Sequence, residues 1–482
     1  MARSSRVVRP ASAPPEGVSQ PVNRRARVDL LEVIRLLFDH LTPALCTAVF
    51  RRHRVSERER KWTFAAVCQF WAAVVLEHPK ALRHGLARTR QRGATAARWP
   101  QVDASPQAFF AKCQHMRPGL FQALFDAVTA SLLGEAPRVY ASWLAALREH
   151  FPGIVVVDGS RLDGIAHRLK ALWPVRAVVL PGCLTACYDL FHGLVRGLVV
   201  YPDAAEAELP RVRPLLEGLA KGTLVLGDRL YGCLAFFHML AEHDLHGLCR
   251  RHGRLSIRLK RRLSRVQGER RLLDDRLVEV GCGARQPKLV LRLIRCRMPG
   301  RRLDLLTDEL DPSRLPAETA VALYGLRWTI ERLFLDLKET LRLHTLYAAH
   351  PNLVAQQVYA TALVYNAFRV AQARLAEKMH LIPEQFSPAK LFSDLAACMN
   401  VWAASQLTMM EVYRLNPGVR LNEPVWEDMP GASTELGALL VERRRGRRRH
   451  RRFCESRRKW TSFAHVPGGP TLLKSAGQPR LT

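Results

Sequence analysis

Hydrophobic positions recur every three or four residues from Val28 to His150, then alternate or run together, and become helical in spacing again after residue 322. In LLEVIRLLFDHL, KWTFAAVCQFWAAVVLEH and PQAFFAKCQ the spacing predicts helices that together form a helical N-terminal domain over 28–150. Ser56 with Glu59 reads as a capping box, and Ser105-Pro106 as an N-cap followed by proline at the first helical position. At Phe151 the pattern changes. IVVVD, Ile154 to Asp158, is a short β-branched run ending in an acid and Gly159-Ser160, which predicts a buried strand. RAVVL (176–180) and the apolar segments 183–190 and 194–201 follow, the last two joined by Phe191-His192-Gly193 as a hairpin. A helix from Ala204 to Ala220 leads to TLVLGDRLYG, a second buried strand with Asp228 at its carboxyl end. Residues 151–230 are therefore the first part of an α/β core. Residues 231–322 are strand-rich and basic, a β insertion in which the alternation of Leu289, Leu291 and Leu293 argues for half-exposed antiparallel strands, with Arg292, Arg295 and Arg297 among the residues that could face outwards. Residues 323–380 return to the core with a long helix in NLVAQQVYATALVYNAFRVAQARLAEK, and further helices occupy 381–440.

The stretch YGLRWTIERLFLDLK, Tyr324 to Lys338, organises the rest. As one helix, at about 100° per residue, it places Tyr324, Arg327, Glu331 and Lys338 within an arc of roughly 60°. Leu323, Leu326, Ile330, Leu333, Phe334 and Leu337 form an apolar stripe opposite. One face anchors the helix. The other presents a glutamate between cations, suited to a metal ion and an anionic substrate such as phosphate.

Charge narrows the partner. With 74 Lys+Arg against 43 Asp+Glu, the formal charge is +31, which favours a polyanion, nucleic acid first. Residues 1–27 carry six arginines and one glutamate and read as a disordered basic arm, and 441–482, with RRRGRRRH, as a second disordered basic tail. Both predict sequence-independent phosphate contact that weakens as salt rises. Arg51, Arg52, Arg54, Arg58, Arg60 and the run from Arg88 to Arg92 suit the same partner. The eleven cysteines include no CxxC pair and no zinc-finger spacing, which fits a reducing compartment. No apolar run reaches the roughly 18 residues of a membrane helix, so the expected location is the cytoplasm, in association with the nucleoid.

Asp158 and Asp228 at strand ends, with Glu331 on a later helix beside the sheet, would repel one another unless divalent cations neutralise them. Oxygen ligands suit Mg²⁺ or Mn²⁺. Two such ions about 3.5–4 Å apart activate a water or 3′-hydroxyl and stabilise the leaving oxygen in phosphodiester chemistry. Asp163, Asp189, Asp336 and Glu339 read as surface or turn residues, His192 as a turn residue, and Glu206 and Glu208 as lesser candidates near the acids. Trp328 and Leu335 are expected to pack beside the working face.

The spacing Tyr324, Arg327, Glu331, Lys338 resembles the YREK motif of DDE transposases of the insertion-sequence-four type, with Trp328 and Ile330 supplying the RWxIE form. DGS at Asp158 and GDRxY at Asp228 resemble that family's two aspartate motifs, and LLTDELDP, Leu305 to Pro312, the segment before the third. The resemblance spans roughly 150–375, in the family's order. It implies a ribonuclease H-like core with a β-strand-rich insertion, Asp158, Asp228 and Glu331 as ligands of Mg²⁺ or Mn²⁺ (two ions per site), and Tyr324, Arg327 and Lys338 on DNA phosphates. It also implies cut-and-paste transposition by a homodimer assembled on double-stranded DNA, at terminal inverted repeats and target. From Tyr231 to Arg327 there is no tryptophan, so the base-flipping residue with which some relatives form hairpins is not supplied there. Two other readings share the residues: a metal-dependent nuclease without strand transfer, and a domesticated transposase acting as a DNA-binding protein.

Overall fold

Caps and buried faces define the N-terminal helices. The computed structural model describes residues 36–91, 99–136, 142–162, 182–202, 207–268, 271–281 and 287–378. The basic arm, the strand expected at 176–180, the helices beyond 380 and the basic tail lie outside them. Among the described residues the helices α1 (Pro43–His53), α2 (Phe64–Glu77), α3 (Leu82–Arg88), α4 (Pro106–His115), α5 (Pro118–Glu135) and α6 (Ser142–Ala146) precede the sheet. Thr42, Thr63 and Ser105 cap α1, α2 and α4, each hydroxyl accepting from the N–H three residues on. The box expected at Ser56 does not form. Glu57 turns back on Val55 and Ser56, and Glu59 accepts from the N–H of Phe64. The apolar residues that a helix must bury begin only at Trp62 and Phe64.

Among the described residues nine strands make one sheet: β1 (Ile154–Arg161), β2 (Cys183–Asp189), β3 (Leu194–Tyr201), β4 (Leu224–Gly227), β5 (His246–Arg250), β6 (Ile257–Gln267), β7 (Leu272–Val280), β8 (Leu289–Met298) and β9 (Arg301–Thr307). Their order is β3-β2-β1-β4-β5-β9-β8-β7-β6. β2 and β3 form the antiparallel hairpin expected around Phe191-His192-Gly193, where Gly193 takes φ +69° and Asp189 accepts from the N–H of Phe191 and His192. β1, β4 and β5 are parallel, connected through α7 (Glu208–Glu217) and α8 (Leu234–Glu242). This is a ribonuclease H-like arrangement within a mixed α/β architecture. The basic β6–β9 stretch extends that sheet, because β9 pairs antiparallel with β5.

The outward orientation expected of Arg292 is wrong. Its side chain is fully buried, with Nε and Nη2 donating to Asp275 and Nη1 to the carbonyl of Leu315. β8 lies between two strands, and the residues leading into α9 (Ala317–Gly325) cover the face that alternation assigned to solvent.

The single helix expected from Tyr324 to Lys338 is three pieces. α9 ends at Gly325, α10 runs Trp328–Leu335, and Asp336–Thr340 closes as a π turn. Between the helices, the N–H groups of Leu326, Arg327 and Thr329 bond to carbonyls three residues back, so the turn tightens at Gly325, a poor helix former. After it, α11 (Pro351–Lys378) crosses the molecule. Its buried Gln356 accepts from Trp71 Nε1 at 3.0 Å and donates to the carbonyl of Cys113, tying α11 to α2 and α4. Asn366 brackets Val195, accepting from its N–H and donating to its carbonyl. Helices and one sheet face therefore share a continuous apolar core, while α7 and α8 bury a second cluster on the opposite face. Among the described residues no helix is long and apolar enough to cross a membrane.

Candidate active site

Strand register brings the first two acids together. Val156 on β1 stands opposite Leu226 on parallel β4, and Asp158 and Asp228 each lie two residues further on. Neighbouring strands are about 4.8 Å apart, so the two residues emerge side by side where β4 ends. β1 continues past this point, held only by β2, which pairs Asp158 with Ala186. The apolar strands below are completely buried, so the carboxylates stand at the rim of a hydrophobic sheet.

That setting governs protonation. Burial, then the charges of Asp228 and Glu208, push the Asp158 carboxyl up to about 7, against the opposing pull of the Gly159 N–H and Arg327. The Gly159 N–H donates to Asp158 Oδ1 at 2.9 Å. Asp228 Oδ1 accepts from the N–H of Leu230 at 2.6 Å, which fixes the turn after β4.

α10 packs against β1 and delivers the remaining groups. Arg327, at its start, extends Nη2 to Glu331 Oε1 at 2.7 Å and Nη1 to Asp158 Oδ2 at 3.6 Å. One guanidinium thus links the carboxylates of β1 and α10. It also lies 5.9 Å from the ring centre of Tyr324, whose phenol burial raises to about 12. Lys338, in the π turn, donates to the carbonyl of Arg161 at 2.6 Å, at the far end of β1. The structure therefore gathers Tyr324, Arg327 and Glu331 beside Asp158, with Lys338 three residues along the same strand. Among the described residues no three His, Cys, Asp or Glu side chains are arranged to hold a metal ion, and Arg327 supplies the positive charge between Asp158 and Glu331.

Glu208, a lesser candidate from sequence, lies close to Asp158. It opens α7, receives a 2.7 Å hydrogen bond from Tyr231 Oη, and lies against Gly159. Its neighbour Glu206 lies outside the described residues, as does Asp163. Asp189 is a turn residue as expected but fully buried, with His192 and Arg196 on its carboxylate holding its proton affinity low against the cost of burial. Arg250 is a second group not singled out from sequence. It ends β5 one residue beyond Cys249, the partner of Gly227, which sets it beside Asp228, and it is exposed. Arg297, Arg301 and Arg302 on β8 and β9 are exposed at the same end of the sheet. Of these, Arg250 alone stands beside a candidate catalytic acid; the others stand further across the sheet, and Arg302 is held by Asp304.

Residues 181–367 match the family described as Transposase DDE domain, a span that includes Asp228 and the whole of Tyr324 to Lys338 but begins after Asp158. The chain is 26% identical over 178 residues to the transposase InsG for insertion sequence element IS4 of Escherichia coli (strain K12), covering 34% of this chain and 38% of that protein. It is 26% identical over 205 residues to the putative transposase y4zB of Sinorhizobium fredii (strain NBRC 101917 / NGR234), covering 38% of this chain and 56% of the relative. The relationship to DDE transposases of the IS4 family is thus distant, and the chain spans roughly half or less of these relatives' length.

Proposed function

We propose that this protein is a DNA transposase that cuts and joins DNA strands at the ends of an insertion sequence, with Asp158, Asp228 and Glu331 as its catalytic carboxylates. One observation carries the reading: Asp158 and Asp228 emerge together from neighbouring parallel strands, and Arg327 ties Glu331 to the same place. The relationship to DDE transposases supports the same assignment.

The donor chemistry fits Mg²⁺ or Mn²⁺. The groups are oxygen ligands, and the mutual repulsion that raises Asp158 is relieved by a cation. Asp158, Asp228 and Glu331 would hold two ions, which supply Lewis-acid activation of the attacking oxygen and charge stabilisation of the leaving one. Arg327, once its carboxylates are otherwise neutralised, presents a planar fork suited to a phosphate. Tyr324 and Lys338 flank it as further DNA contacts, and Arg250 extends the grip along the backbone. Water attacks phosphorus and the P–O3′ bond breaks; the 3′-hydroxyl so released then attacks a target phosphorus, forming a new P–O bond as the target's own P–O3′ bond breaks and its 3′-oxygen leaves with a proton. The substrate is double-stranded DNA, the element's inverted repeats and its target, held by a homodimer in a nucleoid-associated, cytoplasmic setting.

The test is cleavage and end binding measured together on DNA carrying the element's ends. Asp158→Asn, Asp228→Asn and Glu331→Gln should each abolish cleavage while binding persists. Retained cleavage in any of them refutes the assignment. Supplying pre-cut ends separates a transposase, which inserts them, from a nuclease, which leaves them unjoined.

A further inference from the structure

A fourth carboxylate stands near Asp158. Glu208 sits at the start of α7, the crossover that leads into β4. Its Oε1 accepts from the phenol of Tyr231, a fully buried residue three positions after Asp228. On its other side it lies on the backbone next to Asp158. A Cβ at Gly159 would stand 2.7 Å from Glu208 Cδ and 2.8 and 3.0 Å from its two oxygens. The position after Asp158 must therefore lack a side chain for Glu208 to remain where it is. One carboxylate is seated between the strand that bears Asp158 and the loop that bears Asp228.

The charge is what needs explaining. A glutamine would satisfy the Tyr231 hydroxyl equally well, with the same size and no electrostatic cost. A glutamate instead brings a further carboxylate to a rim that already holds Asp158 and Asp228, and after burial and Asp228 it is the next group pushing Asp158 up. Like charges gathered this closely are tolerable when a cation completes the set. Arg327 faces Asp158 and Glu331, so it does not serve this purpose for Glu208.

We propose that Glu208, clamped by Tyr231, is a positioning residue of the cation site, a fourth carboxylate that draws the divalent ion to the Asp158–Asp228 side. The inference rests on the reading of Asp158 and Asp228 as cation-binding acids. It adds a residue outside the matched spacing of motifs.

The experiment is a calorimetric titration of the full chain with Mn²⁺, without DNA, alongside thermal unfolding in EDTA. Glu208→Gln keeps the hydrogen bond to Tyr231 and removes the charge. Its Mn²⁺ affinity should fall about tenfold, the lower end of what supporting residues around metal sites contribute, with an unchanged or higher unfolding midpoint in EDTA. Tyr231→Phe keeps the buried ring and releases the carboxylate, and should weaken Mn²⁺ binding by a smaller factor. Should Glu208→Gln not fold, Gly159→Ala, which displaces the carboxylate without removing it, takes its place with the same expected direction. Wild-type affinity in Glu208→Gln, or in both Tyr231→Phe and Gly159→Ala, together with loss of binding in Asp158→Asn, overturns the proposal and leaves the three-acid reading intact. Unchanged affinity in Asp158→Asn and Asp228→Asn overturns that reading and this proposal with it.

Discussion

Asp158 should destabilise the metal-free protein at neutral pH, and Asp158→Asn should relieve it. The carboxyl rises from an ordinary 3.8 to about 7, through burial first and then Asp228 and Glu208. At 1.36 kcal/mol per pH unit this corresponds to about 4 kcal/mol for carrying the charge in the folded state. The sign follows from proton linkage. Between about pH 4 and pH 7 the folded chain keeps a proton that the unfolded chain has released, so this group's contribution falls as pH rises and is lost above pH 7. Arg327 opposes the effect only through a 3.6 Å contact. Because Asp228 and Glu208 share the repulsion, the expected difference is about 2–4 kcal/mol. Urea unfolding in EDTA, followed by tryptophan fluorescence, should find Asp158→Asn more stable than wild type by that amount at pH 8, and nearly equal to it at pH 4. Mn²⁺ at about 100 times its dissociation constant should then add about 2.7 kcal/mol to wild type and little to the variant. A variant less stable than wild type at pH 8 would refute the reasoning, since it would mean that Arg327 stabilises the ionised form more than its surroundings penalise it.

Three further outcomes test the frame around the site. Gln356→Ala removes the acceptor of the buried Trp71 indole N–H and the amide donor to the carbonyls of Cys113 and Met116, of which Cys113 keeps only the Met116 N–H as donor, and should cost about 2–4 kcal/mol in unfolding free energy. Arg292→Ala strands the buried Asp275 carboxylate and should cost about 3–5 kcal/mol, whereas Arg292→Met with Asp275→Leu should recover most of that; equal losses in the two proteins would contradict the buried pair. Arg250→Ala should lower the salt dependence of DNA binding by about one phosphate contact, read as the slope of log affinity against log salt, and removing residues 443–459 should lower it further.

What could be read from sequence depended on how local the determining physics was. The strands carrying Asp158 and Asp228 were legible because a continuous β-branched or aliphatic run ending in an acid and a glycine has few other structures open to it. Ser105-Pro106 was legible for the same reason, being a cap complete within four residues. Helical spacing also marked Tyr324 to Lys338, but a wheel assumes one unbroken period. It cannot register a turn tightened at Gly325 or a π turn at Asp336, both set by how α9, α10 and the sheet pack. Arg292 was misread because alternation assigns a face, while burial of that face depends on the residues leading into α9 and on Asp275 supplying the diagonal counter-charge. An acidic pair, Asp274-Asp275, in so basic a stretch was the available signal. Glu208 shows the limit most clearly. Nothing within ten residues of it forms a motif, and its place in the structure comes from three distant positions, Gly159 without a side chain, Tyr231 with a hydroxyl, and Asp158 with a carboxyl, that become neighbours only when the crossover helix docks. Residues that ligate or cap are chosen by their own chemistry and leave local traces; a residue that sets the field around them is chosen by the fold, so its trace is spread over the elements that surround it.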